Sequence, residues 1–191
     1  MNIRRKSVKS IFVMTLALTF LGTSIVSAGG PKALIKYPIP DHGMLELSVP
    51  TSWRGDIHKP QENLPSTIIF SPKKGKDFQV LITVLWDQKG EPGFNNQENV
   101  RTLVEKDSKK ILPKAIETKI VLKEIRGVNN TGYFFSLTDK APKPGEFRYM
   151  TRGGMTVGNL LLNVTILHRT KESNSVKDAL SMLREARQST K

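Results

Sequence analysis

The chain contains no cysteine. That absence removes disulfide staples, thiolate metal sites and thiol catalysis, and with them the cleavage-site cysteine that a lipid anchor needs. Acidic residues are the scarcer charge, 17 Asp and Glu against 30 Lys and Arg, for a net charge of +13. No apolar run reaches the ~20 residues of a membrane-spanning helix. Missing too are a Gly-x-Ser-x-Gly nucleophile elbow, a phosphate-binding glycine loop and a dinucleotide fingerprint. No motif therefore names a reaction, an enzyme is not expected, and no cofactor is expected. With 38% hydrophobic and 25% charged residues, the 191 residues have the composition of one ordinary globular domain.

Residues 1–28 run from basic Arg4-Arg5-Lys6 and Lys9, through apolar Ile11 to Leu21, to the small-residue site Val26-Ser27-Ala28. This is the pattern of a secretory signal cleaved after Ala28, because Gly22, Thr23, Ser24 and Ser27 cut the apolar run short. The remaining 163 residues carry 26 basic against 17 acidic side chains, a net +9. An exported chain without cysteine points to a bacterial envelope, so the protein is expected to be periplasmic or secreted, with no transmembrane span after cleavage. Export separates this basic protein from nucleic acid. The expected partner is an anionic envelope component or an acidic protein.

The start, 29–40, has Gly29-Gly30-Pro31 and then Pro38 and Pro40, and reads as an extended arm in which any strand is short and at an edge. A single domain is expected over 41–191. Leu45, Leu47 and Val49 alternate with Glu46 and Ser48 as a half-buried strand that ends at Pro50. Residues 51–65 read as a loop anchored by Trp53. Segments 67–71 and 78–86 form a hairpin, with Val80, Ile82, Val84 and Trp86 on one face and Leu81, Thr83 and Leu85 on the other, both faces covered. Asn95, with Glu98 three residues later, predicts a capped helix that Pro113 ends, its apolar stripe being Val100, Leu103, Val104 and Ile111. A second helix follows Ser175, with Val176, Ala179, Leu180, Leu183 and Ala186 on one face. Strands are expected over 120–125, 132–138, 147–157 and 160–168, the last two joined by the two-residue turn Gly158-Asn159.

Strands, helix, strands, helix, joined by short loops, predict an α/β/α sandwich of α+β type: a mainly antiparallel sheet of about six strands with two principal helices. The Val49-Pro50-Thr51-Ser52-Trp53 strand end, the amphipathic helix, Gly132-Tyr133-Phe134-Phe135, the Gly158-Asn159 hairpin and the terminal helix resemble the PsbP-like α/β/α sandwich superfamily. That superfamily includes photosystem accessory proteins, a Ran-binding import factor and small exported bacterial proteins. The resemblance implies a noncatalytic binding or accessory protein and transfers no functional residue.

Two constellations remain. Asp41-His42 and Asp56-Ile57-His58 place carboxylates and imidazoles in one stretch, so His42 and His58 are weak metal-ligand candidates, the alternative being a metal-binding protein or small envelope hydrolase. Their spacing matches no metal motif, and solvated turns account for them. Arg54-Gly55-Asp56 would be an adhesion tripeptide only on an exposed loop tip. The hairpin register pairs residues whose numbers sum to 317, which puts Arg148 opposite Arg169 and Arg152 opposite Thr165 on one face, next to Asn163. Opposed arginines repel unless screened, so Arg148, Arg152, Asn163 and Arg169 are the candidate anion-binding ladder. The bland alternative is a solvated face, with Met150 and Leu167 under the terminal helix.

Overall fold

The computed structural model describes residues 30–59 and 65–189; the leader read over 1–28 lies outside them. The order is β1 (Lys32–Ile39), β2 (Gly43–Pro50), β3 (Trp53–His58), β4 (Thr67–Pro72), β5 (Phe78–Trp86), α1 (Gln97–Ile111), β6 (Lys123–Arg126), β7 (Thr131–Thr138), β8 (Tyr149–Val157), β9 (Leu160–His168), α2 (Asn174–Glu185) and β10 (Arg187–Ser189). The strands form two antiparallel sheets, one of seven strands in the order β3-β4-β5-β9-β8-β7-β6 and one of three in the order β1-β2-β10.

The turn at Gly158, which has φ of 58°, fixes the β8–β9 register, with Tyr149 facing His168 and Val157 facing Leu160 without a bulge at Gly153-Gly154. A side-chain period of two then sorts the strands into two cores. Val80, Ile82, Val84, Leu162, Val164 and Ile166 meet Leu45 and Leu47 of β2 and Ala179, Met182 and Leu183 of α2. On the opposite face Tyr133, Phe135, Leu137 and Leu161 meet Val100 and Val104 of α1. The glycine pair sets how closely these layers pack. A Cβ at Gly154 would lie 3.3 Å from Val100, and one at Gly153 would lie 2.6 Å from the Phe134 ring.

The sandwich is thus as expected in kind, but the main sheet has seven strands rather than about six. The seventh is β3, in the stretch read as a loop. Its residues from Arg54 to His58 are all exposed, so it shows no burial alternation and joins the sheet through backbone pairing with β4. The stretch read as an arm is extended but not free, since β1 pairs with β2 along its whole length at an edge that tolerates Pro38. Its outer residues Leu34 and Ile35 are exposed while Tyr37 and Ile39 are buried.

Asn96, not Asn95, caps α1, its side chain accepting from the Asn99 amide at 2.8 Å. Asn95 instead donates to the Gly158 carbonyl at 2.7 Å, fastening the helix start to the β8–β9 turn. Leu103 is 43% exposed. Because α1 lies over β7 and β8, Leu81, Thr83 and Leu85 of β5 are only half-buried rather than covered. The second helix begins at Asn174, with Ser173 at its cap position.

Candidate functional site

Antiparallel pairing gathers alternate loops at opposite ends of the seven-stranded sheet. At one end meet the β1–β2, β6–β7 and β8–β9 turns, the segment after β5 and the C-terminus of α2. Segments 40–42, 87–96, 127–130, 158–159 and 184–189, with residues 59 and 65–66 of the β3–β4 connection, carry four basic and four acidic residues there. At the other end meet the β4–β5, β7–β8 and β9–α2 loops and the segment closing α1. Segments 73–77, 109–119, 139–148 and 169–173 carry twelve Lys and Arg against five Asp and Glu. The basic excess of the protein is concentrated at this basic end.

The neutral end contains a groove of about 1050 Å³ between the β1–β2 turn and the ends of β3, β4 and β5. Tyr37, His42, Ile57, Ile68, Val84 and Trp86 are among its lining residues. The His42 and Trp86 rings lie 5.4 Å apart, centre to centre. Gln188 of β10 spans the rim. Its Oε1 accepts from the Asn159 amide at 2.6 Å and its Nε2 donates to the His42 carbonyl at 2.7 Å. Burial pushes the Tyr37 phenol above its ordinary pKa. The sequence signals for this groove are faint: an aromatic residue ending a strand and a turn framed by prolines.

The four residues expected as an anion ladder separate into two places. Arg152 lies at the edge of α1, its Nη2 2.6 Å from the Asp107 carboxylate, each side chain 29% exposed. Its Nε is buried without a partner among the described residues. Arg152 and Asn163 share the lining of a small cavity of about 160 Å³ with Asp107 and Leu103. Arg169 turns away from this face. It donates to the carbonyls of Lys76, Gly145 and Glu146 at 2.9, 2.8 and 3.2 Å, and its guanidinium sits 5.0 Å from the centre of the Phe147 ring. Arg148 is exposed and precedes β8. The register is the expected one, but Asp107 and three backbone carbonyls occupy two of the guanidinium groups that would have made the ladder. Met150 packs beneath α1, not beneath the terminal helix.

The histidines also divide. His42 is at the β1–β2 turn and His58 ends the exposed strand β3. Among the described residues no group of three or more His, Asp or Glu comes together as a metal site. Arg54-Gly55-Asp56 lies within β3 and is not a loop tip. His168 is buried, stacked 5.5 Å from Tyr149, with its Nδ1 2.7 Å from the Thr170 carbonyl.

At the basic end the carboxylate of Glu117 holds the chain after α1 against β7. It accepts from the Thr138 amide and hydroxyl, both at 2.8 Å. Desolvation pushes this carboxyl up, but the two Thr138 hydrogen bonds, helped by Lys171, hold it below its ordinary value. Lys73, Lys74, Lys76 and Lys143 are exposed and form no ion pair among the described residues. No short sequence window contains this cluster, because the four segments meet only through strand pairing.

No protein-family model matches the sequence, and no curated protein matches it. Among solved structures, the chain is similar to the solution structure of cyanobacterial PsbP (CyanoP) from Synechocystis sp. PCC 6803. The TM-score is 0.52 at 11% identity, over 85% of this chain and 96% of that one. The chain therefore has a PsbP-like fold. No helix among the described residues is long and apolar enough to cross a membrane.

Proposed function

We propose that this is an exported, noncatalytic binding or accessory protein of the bacterial envelope, which engages an anionic envelope component or an acidic protein through its basic end. The observation that carries this reading is the separation of charge among the described residues: twelve basic against five acidic residues at one end of the sheet, four against four at the other. Random scatter of surface lysines would spread the field over the whole molecule. Gathering it at one end raises the local concentration of anions there and orients an approaching partner. The leader pattern over residues 1–28 supports export, and the PsbP-like fold is compatible with an accessory role.

The test is titration of the purified protein with soluble polyphosphate between about 20 and 300 mM salt, since such screening weakens exposed charge contacts. Binding that weakens steeply with salt, and that is lost when Lys73, Lys74 and Lys76 are changed to Glu, supports the reading. Salt-independent binding, or none, refutes it. A stoichiometric metal in the purified protein that His42→Ala and His58→Ala both remove would instead establish the metal-binding alternative.

A further inference from the structure

We infer that the basic end docks flat on the phosphate headgroups of an anionic lipid bilayer, with the groove at the neutral end facing away from it. This rests on the reading of the basic end as an anion-binding surface and specifies the anion. Arginine is the side chain suited to bidentate recognition of a fixed carboxylate or phosphate. At this end Arg169 spends its donors on three backbone carbonyls and stacks near Phe147. The unpaired cations are chiefly lysines, among them Lys73, Lys74, Lys76 and Lys143, on two different loops.

A specific protein interface needs a desolvated centre of aromatic or arginine anchors, and lysine is depleted from such centres. A sheet of mobile headgroups makes no such demand. It responds to the number of lysines that reach it at once, each strengthening binding several-fold. Charge density without directional donors is what the basic end offers.

Chain geometry points the same way. The Thr51 amide donates to the Pro31 carbonyl at 2.8 Å, and the Lys73 amide donates to the Ser52 carbonyl at 2.9 Å. The described chain therefore enters the fold beside the β4–β5 lysines. Residues 1–28, whose apolar run is the part of the sequence that engages a membrane during export, are joined to the basic end and not to the groove end.

The experiment is sedimentation of the protein lacking residues 1–28, which retains every described element, with vesicles of phosphatidylcholine alone or with 30% phosphatidylglycerol. Two variants flank it: Lys73→Glu with Lys74→Glu and Lys76→Glu at the basic end, and Lys59→Glu with Lys89→Glu at the neutral end. Thermal unfolding checks that both remain folded. Binding is expected only to the phosphatidylglycerol vesicles, to weaken by about a hundred-fold in the basic-end variant, and to change by less than about three-fold in the other. Equal loss in both variants, or equal binding to phosphatidylcholine alone, overturns the inference. Binding to soluble polyphosphate without binding to vesicles overturns lipid docking and leaves the anionic-partner reading standing. Failure to bind either overturns both.

Discussion

The two ends of the seven-stranded sheet are held together by different chemistry. At the neutral end the cross-links are mostly amides, beside one ion pair between Glu185 and Lys32 of β1. Asn95 reaches Gly158, Asn130 reaches the Ala186 carbonyl at 2.6 Å, and Gln188 joins two turns. At the basic end they are made by charged side chains: Arg169 gathers three carbonyls, and Glu117 accepts twice from Thr138. An amide carries donor and acceptor together and does not titrate, so it shapes a groove without adding to its field. The charged links leave the basic end dependent on pH and salt. The difference teaches that the groove end is nearly neutral and bridged by hydrogen bonds, whereas the opposite end keeps lysines in excess of what its own architecture uses.

The sharpest way to break this comparison is to put a charge among the amides. Asn130 is 5% exposed, and its side chain donates to Ala186 and, at 3.4 Å, to Leu183 at the end of α2. Asn130→Ala leaves the buried Ala186 carbonyl without its side-chain donor and should cost about 2 kcal/mol. Asn130→Asp adds a carboxylate at the negative end of the helix and should cost about 3 kcal/mol. Denaturant unfolding at neutral pH measures both, and an aspartate variant as stable as wild type would show that the neutral end does not exclude charge.

Next in size is the guanidinium clamp. Arg169→Ala removes three hydrogen bonds and the contact with Phe147, and should cost about 2 kcal/mol, moderated by the solvent exposure of the side chain. Arg169→Lys keeps the charge but not the planar fork, and should restore less than half of that. Full rescue by lysine would mean that charge alone, and not directional donors, holds the two loops.

Much of the fold was legible because period two is a strong signal when one face is buried. The alternations at 44–49 and 78–86 placed two strands to within a residue at each end, and the Gly158-Asn159 turn fixed the β8–β9 register. The strands that escaped were those whose pairing leaves little trace in the side chains. β3 is exposed on nearly every residue, β1 carries a proline and is flanked by two more, and β10 has three residues completing a sheet begun at the other end of the chain. The candidate site was less legible for a physical reason. Register located Arg152 and Asn163 side by side, but pairing geometry along two strands says nothing about Asp107 descending from α1 or about carbonyls converging on Arg169.

A smaller effect tests the titratable links. Glu117 has a depressed pKa in the folded protein, so its contribution is fully present above the unfolded value, near 4.5, and is lost as pH falls through the lower folded value. Glu117→Gln should destabilise by under about 1 kcal/mol at pH 7, because the carboxylate is partly solvated, and the gap from wild type should close below pH ~4. A gap that persists unchanged at acid pH would assign the effect to lost geometry and not to charge.

The smallest effect bears most directly on what the lysines are for. Lys73, Lys74 and Lys76 lie within four residues of one another on an exposed turn, and Asp77 is the one acid in that turn. Like charges at such spacing repel, and at 20 mM salt they are poorly screened. Lys74→Gln should therefore stabilise the fold, by a few tenths of a kcal/mol, and 300 mM salt should abolish the gain. Lys89→Gln at the neutral end, next to Asp87 and Glu91 in sequence, should do the reverse or nothing. A fold that gains stability when a surface lysine is removed is holding that lysine against its own interest. If the same substitution also weakens attachment to phosphatidylglycerol vesicles, stability and binding are opposed at one residue, as expected of a surface kept basic for a partner. If Lys74→Gln instead destabilises the protein, the β4–β5 lysines serve the fold and the contrast between the two ends loses its functional meaning.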